Sequence, residues 1–255
     1  MKTKITLLTL LLFPAFLSGQ DKQLTSGRIT YDEKVKIEIK LDGEASAFAS
    51  NLPKERSMEK VLTFNNDALL FEDGKSSAED EMATDHGDGN VRIRMVVSGE
   101  NKTFTDLKSK KVIEQRDFMN RIFLVENDLT RTDWKITGNQ KNILGYNCIE
   151  ATKTDTAGKK TVAWFAPSIP VSGGPADLRD LPGMILEADI NSGTRVYTPK
   201  SVEALSLAEA KIQKPKEGKQ VTEDEYKKIV ADKMKEMGIE QGPGGNQMRV
   251  IIRHQ

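Results

Sequence analysis

Cysteine is nearly absent from this chain. Cys148 is the only one in 255 residues, so no disulfide can form within one molecule and the fold must be held by its core. Histidine is almost as scarce: His86 lies in an acidic stretch and His254 next to the end, so a hydrolase built here would lack a base beside its nucleophile. A cysteine-dependent enzyme is therefore the least favoured reading, and no cofactor is expected. An excess of one charge is missing too, with 38 basic and 38 acidic residues. That balance gives no basic footprint for nucleic acid or anionic lipid, and neither is expected as a partner. No apolar run after residue 17 approaches the roughly 20 residues of a membrane-spanning helix.

The start of the chain is different in kind. "MKTKITLLTLLLFPAFLSG" places Lys2 and Lys4 before an apolar stretch from Ile5 to Leu17, followed by the small Ser18 and Gly19. This is the pattern of a secretory signal peptide over residues 1–19, with cleavage expected after Gly19 or Gln20. No cysteine follows the apolar stretch, so lipid attachment at that point is not expected. The mature chain is expected to be periplasmic or secreted, without a transmembrane segment. It would keep 36 basic residues against 38 acidic ones.

Polarity alternates at every second residue through much of the remainder. In "ITYDEKVKIEIKL", residues 29–41, Ile29, Tyr31, Val35, Ile37, Ile39 and Leu41 oppose Lys34, Lys36, Glu38 and Lys40. "VRIRMVV" at 91–97 repeats the device, and such period-two segments are half-buried strands with one wet face, which favours antiparallel pairing. Further strands are expected at 60–64, 68–71, 102–106, 111–116, 121–125, 146–154, 160–165, 184–190 and 195–198, most of them joined by short polar turns. No helical period before residue 203 supplies crossovers for a parallel sheet. The clearest helix is "VTEDEYKKIVADKMKEMG", with Thr222 as N-cap, Glu225 as its capping-box partner, Gly238 as the stop, and a narrow stripe of Tyr226, Ile229, Val230, Met234 and Met237. The expected architecture is mainly β: a large curved antiparallel sheet, a meander or half-barrel over residues 20–205, then a linker, one helix and a C-terminal arm over 206–255. In that arm the apolar run Val250, Ile251 and Ile252 could add to a sheet edge.

Four of the nine prolines fall in "PSIPVSGGPADLRDLPG", residues 167–183, which cannot be regular structure. At its end Leu181–Pro182–Gly183–Met184 predicts a type II turn, with proline presetting one dihedral and glycine supplying the positive one. The turn would fix which face of the next strand points inward, with Met184, Leu186, Ala188 and Ile190 on one side and Glu187 and Asp189 on the other.

"LGYNC" at 144–148, "AWFAPSIPVSGGP" at 163–175 and "DLPGMILEADI" at 180–190 resemble, in order and spacing, the GLPGLI family of exported Bacteroidota proteins. Asp180 stands where that family usually has glycine, and Met184 where it has leucine. The resemblance implies an envelope protein; the family brings no established activity or catalytic residues. The meander also resembles the open β half-barrels that carry lipids or lipoproteins, an analogy of fold alone.

The favoured reading is an exported envelope module, structural or binding, that receives an apolar molecule or another envelope protein on its curved sheet or proline-rich loop. Trp164, Phe165, Pro167, Ile169, Pro170, Pro175, Leu181, Pro182 and Gly183 would line or frame that place, or cap the open end of the sheet. The alternative is a calcium-like site in the acidic stretch, where Glu79, Asp80, Glu81, Asp85, His86 and Asp88 gather oxygen ligands, although their spacing misses the EF-hand pattern.

Overall fold

The computed structural model describes residues 23–36, 38–41, 54–74, 101–236, 239–241 and 247–250. The signal-peptide segment, the expected strand at 91–97, the acidic stretch at 79–88, Met237, Gly238, Ile251, Ile252 and both histidines lie outside them, and so does the side chain of Val250.

The chain is mainly β, with one α-helix among the described residues. In chain order the strands are β1 (Gly27–Lys36), β2 (Glu38–Leu41), β3 (Glu55–Phe64), β4 (Ala68–Asp73), β5 (Lys102–Asp106), β6 (Lys111–Phe118), β7 (Arg121–Asp128) and β8 (Lys135–Ile143). They continue as β9 (Tyr146–Thr154), β10 (Lys160–Ala166), β11 (Met184–Ile190), β12 (Arg195–Ala204), β13 (Lys219–Val221), β14 (Ile239–Gln241) and β15 (Gln247–Val250), with α1 (Glu223–Glu236) between β13 and β14. Twelve strands form one open sheet in the order β13-β7-β6-β5-β4-β3-β1-β12-β11-β10-β9-β8; β14, β15 and β2 form a second, small one.

Two expectations are corrected here. The run at 29–41 is two strands in two sheets: β1 pairs with β3 and β12, while β2 pairs in parallel with β15. The large sheet is also not wholly antiparallel, because β13 joins β7 in parallel. That pairing needs a crossover, and residues 205–218 supply it without a helix. These residues, expected as a linker, form a strap over one face of the sheet. Ala210 and Pro215 are buried, and Ile212 packs on Phe104, Ile113 and Leu124. Between β12 and β13 lie seven strand spacings, about 34 Å, well within the roughly 50 Å that this fourteen-residue connection spans when extended.

Curvature follows from connectivity. Ten strand spacings separate β7 from β8 in the sheet order, about 48 Å if laid flat. Only residues 129–134 join them, and that length of chain spans at most about 25 Å. The sheet must curl into a trough that brings its two ends toward each other. Inside it lies the main core, where Tyr31, Phe71 and Tyr197 meet edge to face with ring centroids 6.0 to 6.4 Å apart. The Tyr31 hydroxyl donates to the carbonyl of Ile185 at 2.7 Å.

The free edge at β8 is exposed along most of its length. Its register against β9 slips between Ile136 and Gln140, where Gly138 takes φ +87°. At the opposite edge α1 begins with the expected capping box: the Thr222 amide donates to Glu225 Oε2 at 2.8 Å and the Glu225 amide to Thr222 Oγ1 at 3.2 Å. The helix buries no residue fully and docks through Tyr226, whose ring meets Phe123 at 5.5 Å. Thr222→Ala is expected to lower stability by about 1 kcal/mol, measured as a lower urea midpoint with an unchanged slope.

Candidate functional site

The proline-rich segment leaves β10 at Pro167 and returns to β11 at Met184, and the trough interior is where it goes. Its backbone groups are satisfied by short local turns: Ile169 N–H to Ala166 O (3.1 Å), Val171 N–H to Ile169 O (2.8 Å) and Leu178 N–H to Pro175 O (3.1 Å). It also pairs with the start of β11, through Met184 N–H to Ile169 O at 2.9 Å and Ile185 N–H to Gly173 O at 2.8 Å. Ile169, Val171, Leu178 and Leu181 are each at most 3% exposed and belong to the main core. A β-carbon on Gly173 would sit 2.2 Å from Leu69 on β4, so the backbone itself packs on the sheet. The segment is a plug.

The turn at its end differs from the one expected. The Gly183 amide donates to Leu181 O at 2.8 Å, closing a three-residue turn about Pro182, while the Met184 amide that a type II turn would use goes to Ile169. Gly183 does have a positive φ, +152°, in a region almost reserved for glycine. A β-carbon there would also lie 2.3 Å from the Ala166 carbonyl oxygen. After it, Met184, Leu186 and Ala188 are buried as expected and Glu187 and Asp189 are half-buried. Ile185 is buried as well, beside a register shift opposite Trp164 and Phe165.

Three residues sequence reasoning passed over fasten the plug. Trp134 Nε1 donates to Arg179 O at 2.7 Å, the Thr132 amide donates to Asp180 Oδ2 at 2.8 Å, and Arg179 Nη2 reaches Thr130 O at 3.2 Å. All three tie it to residues 129–134, the segment that bridges the ends of the sheet. Lys153 sits over the Trp134 ring at 4.8 Å, its pKa lowered chiefly by burial. Asp180 has φ +69°, a left-handed conformation that aspartate tolerates and glycine takes freely. Trp134, one of two tryptophans, was the available signal.

Beyond the aromatic trio the inner face turns polar. Glu33, 4% exposed, continues the inward series of β1, with Arg195 Nε at 3.3 Å and Lys60 Nζ at 3.6 Å; Lys60 also bonds Asp73. The Tyr197 hydroxyl is hydrogen-bonded to Glu33, and burial first, then that carboxylate, raises its pKa. Removing its cations would leave the Glu33 carboxylate buried without a partner, a strongly destabilising change.

The expected site residues thus divide. Ile169, Pro175, Leu181 and Gly183 come together as buried parts of the plug, with Phe165 buried on β10 before it, whereas Pro167, Pro170 and Pro182 stay exposed at its rim. Trp164 is half-buried under the Lys141 ammonium, 4.3 Å from the ring centroid, and Lys141 pairs with Glu187 at 2.6 Å. Cys148 is fully buried, and desolvation pushes its thiol up to about 11. At neutral pH it is protonated and a poor nucleophile.

Two measurements follow. Gly183→Ala should destabilise by roughly 2–4 kcal/mol from strain and overpacking, read by urea unfolding. Cys148 should resist a thiol reagent in the folded protein at pH 7 and be labelled promptly in denaturant; fast labelling of the native form would contradict its described burial.

A family model described as a protein of unknown function (Porph_ging) matches residues 156–187, the stretch from the β9–β10 loop through β10 and the plug into β11. No curated protein matches this chain. Among solved structures, PNGF-II in space group P21 is similar with a TM-score of 0.54 at 16% identity, covering 81% of this chain and 33% of that one. PNGF-II in space group C2 gives 0.53 at 17% identity, with 81% and 32% covered. An uncharacterized conserved protein from Thermus thermophilus gives 0.40 at 9% identity, over 80% of this chain and 93% of that one. This chain spans about a third of the length of the PNGF-II chains, and the likeness is one of β fold.

Proposed function

We propose that this chain is an exported cell-envelope module with a binding or structural role, not an enzyme, and that it belongs to the GLPGLI family. The observation that carries this reading is the plug. Between it and β3–β5 the remaining space is about 10 Å³, against the roughly 300–1,000 Å³ typical of small-molecule sites. A partner protein therefore suits this trough better than an apolar molecule inside it. What the plug offers outward is a rim of exposed prolines, Pro167, Pro170 and Pro182, on a backbone pinned from beneath. Rigid apolar edges lose little entropy when another protein covers them, which favours recognition there.

The family assignment is supported by the match at residues 156–187, which falls on the same plug whose motif carries the resemblance. Export is supported by the charge and hydropathy pattern of residues 1–19. Native mass spectrometry of the protein recovered from the cell envelope or the medium is the test. The expected species is the bare chain beginning after Gly19 or Gln20; a lipid or acyl chain bound in stoichiometric amount would overturn the partner-protein reading, and an uncleaved chain retained in the cytoplasm would overturn export.

A further inference from the structure

Little apolar surface holds α1 against the sheet. The helix buries no residue fully, and Ile229, Val230 and Met234 are only half-buried along its apolar stripe. Its aromatic contact is Tyr226 on Phe123, edge to face at 5.5 Å. Two clefts flank that contact: one of about 480 Å³ bounded by Ile113, Leu124, Pro215, Thr222 and Glu225, and one of about 370 Å³ bounded by Thr103, Glu114, Phe118 and Tyr226. Atoms lining such gaps lack packing partners on one side, so the helix gains less from docking than a core strand does. Beyond α1 the chain continues into β14 and β15, strands of three and four residues.

Charge does more of the holding. Arg116 on β6 bonds Glu114 of its own strand and Glu223 in the first turn of α1, the latter at 2.9 Å, and its guanidinium lies 4.8 Å from the centre of the Tyr226 ring. Lys227 also pairs with Glu223, but it belongs to the same helix and does nothing to hold it down. The groups around this contact are acidic. The Tyr226 hydroxyl has its pKa raised by burial first and then by Glu223, Asp117 and Glu114, with Arg116 opposing. One guanidinium thus stands between carboxylates of the sheet and of the helix, which without it would repel each other.

We propose that α1 is a latch: it leaves β7 as a unit while the twelve-stranded sheet stays folded, and Arg116 is the bolt. Segments with few buried apolar contacts open at a fraction of the global unfolding free energy. Opening uncovers the Phe123 ring, otherwise 4% exposed, near the edge of the sheet opposite β8. The device is separate from the plug and independent of the proposed function.

Native-state amide exchange of the full chain, at low and at high sodium chloride, is the test. Relative to their intrinsic rates, amides of residues 227–236 are expected to exchange roughly 100-fold faster than those of β1 and β12, through openings that leave the sheet protected. Exchange in step with β1 and β12 overturns the latch. Salt should speed α1 exchange in the wild type, because it screens the attraction between Arg116 and Glu223. Arg116→Gln should speed it roughly fivefold or more at low salt, and salt should then slow it, since only repulsion is left to screen. A wild-type rate in Arg116→Gln, or the same direction of salt response in both proteins, overturns the role of Arg116. Should Arg116→Gln fail to fold, Glu223→Gln makes the same cut from the helix side. Faster exchange with the salt response lost is expected there, and an unchanged rate and response overturn the bolt.

Discussion

Everything in the large sheet answers to one constraint: six residues, 129–134, must join strands that stand ten spacings apart in the sheet order. A flat sheet cannot satisfy it, so the sheet curls, and a curled sheet has an interior to fill. The proline-rich segment fills it, and the same short connection then hydrogen-bonds that segment through Trp134, Thr132 and Thr130. Curvature, filling and fastening are therefore one arrangement. Such long-range closure also makes contacts between distant parts of the chain obligatory, which slows folding relative to a local meander.

The strands inside this frame were the most readable part of the sequence. Gly27–Lys36 and Ala68–Asp73 follow from alternation, because Ile29 and Tyr31, and Leu69 and Phe71, are buried at every second position and the period of two records that dry face. β8 escaped notice for the opposite reason. "KITGNQKNI" is an edge with little to bury, so it carries almost no hydrophobic signal, and its pairing is dictated by β9. β13 is three residues long and exists because the strap delivers it to β7. Neither fact has a local cause that a pattern could reveal.

The site was legible in composition and not in depth. Proline and glycine density marked residues 167–183 as irregular, yet nothing local says that Pro175 is buried while Pro170 is exposed, since that depends on which side of the segment meets β4 and β11. Gly183 was identified from its own dihedral requirement, and its second reason, the approach of the Ala166 carbonyl, is tertiary. Glu33 is similar. It sits in register with Ile29 and Tyr31, where alternation asks for an apolar residue, and only the arrival of Lys60 and Arg195 from other strands makes a carboxylate tolerable there.

The slipped register of β8 also shapes how many copies of this protein could coexist. An outermost strand with a straight run of unpaired amides is a template on which a neighbour can extend the sheet without limit. Here two residues in excess push the backbone out of line between Ile136 and Gln140, and Lys135 and Lys141 flank the kink. A second molecule approaching that border finds mismatched spacing, which disfavours extension of the sheet there into fibrils.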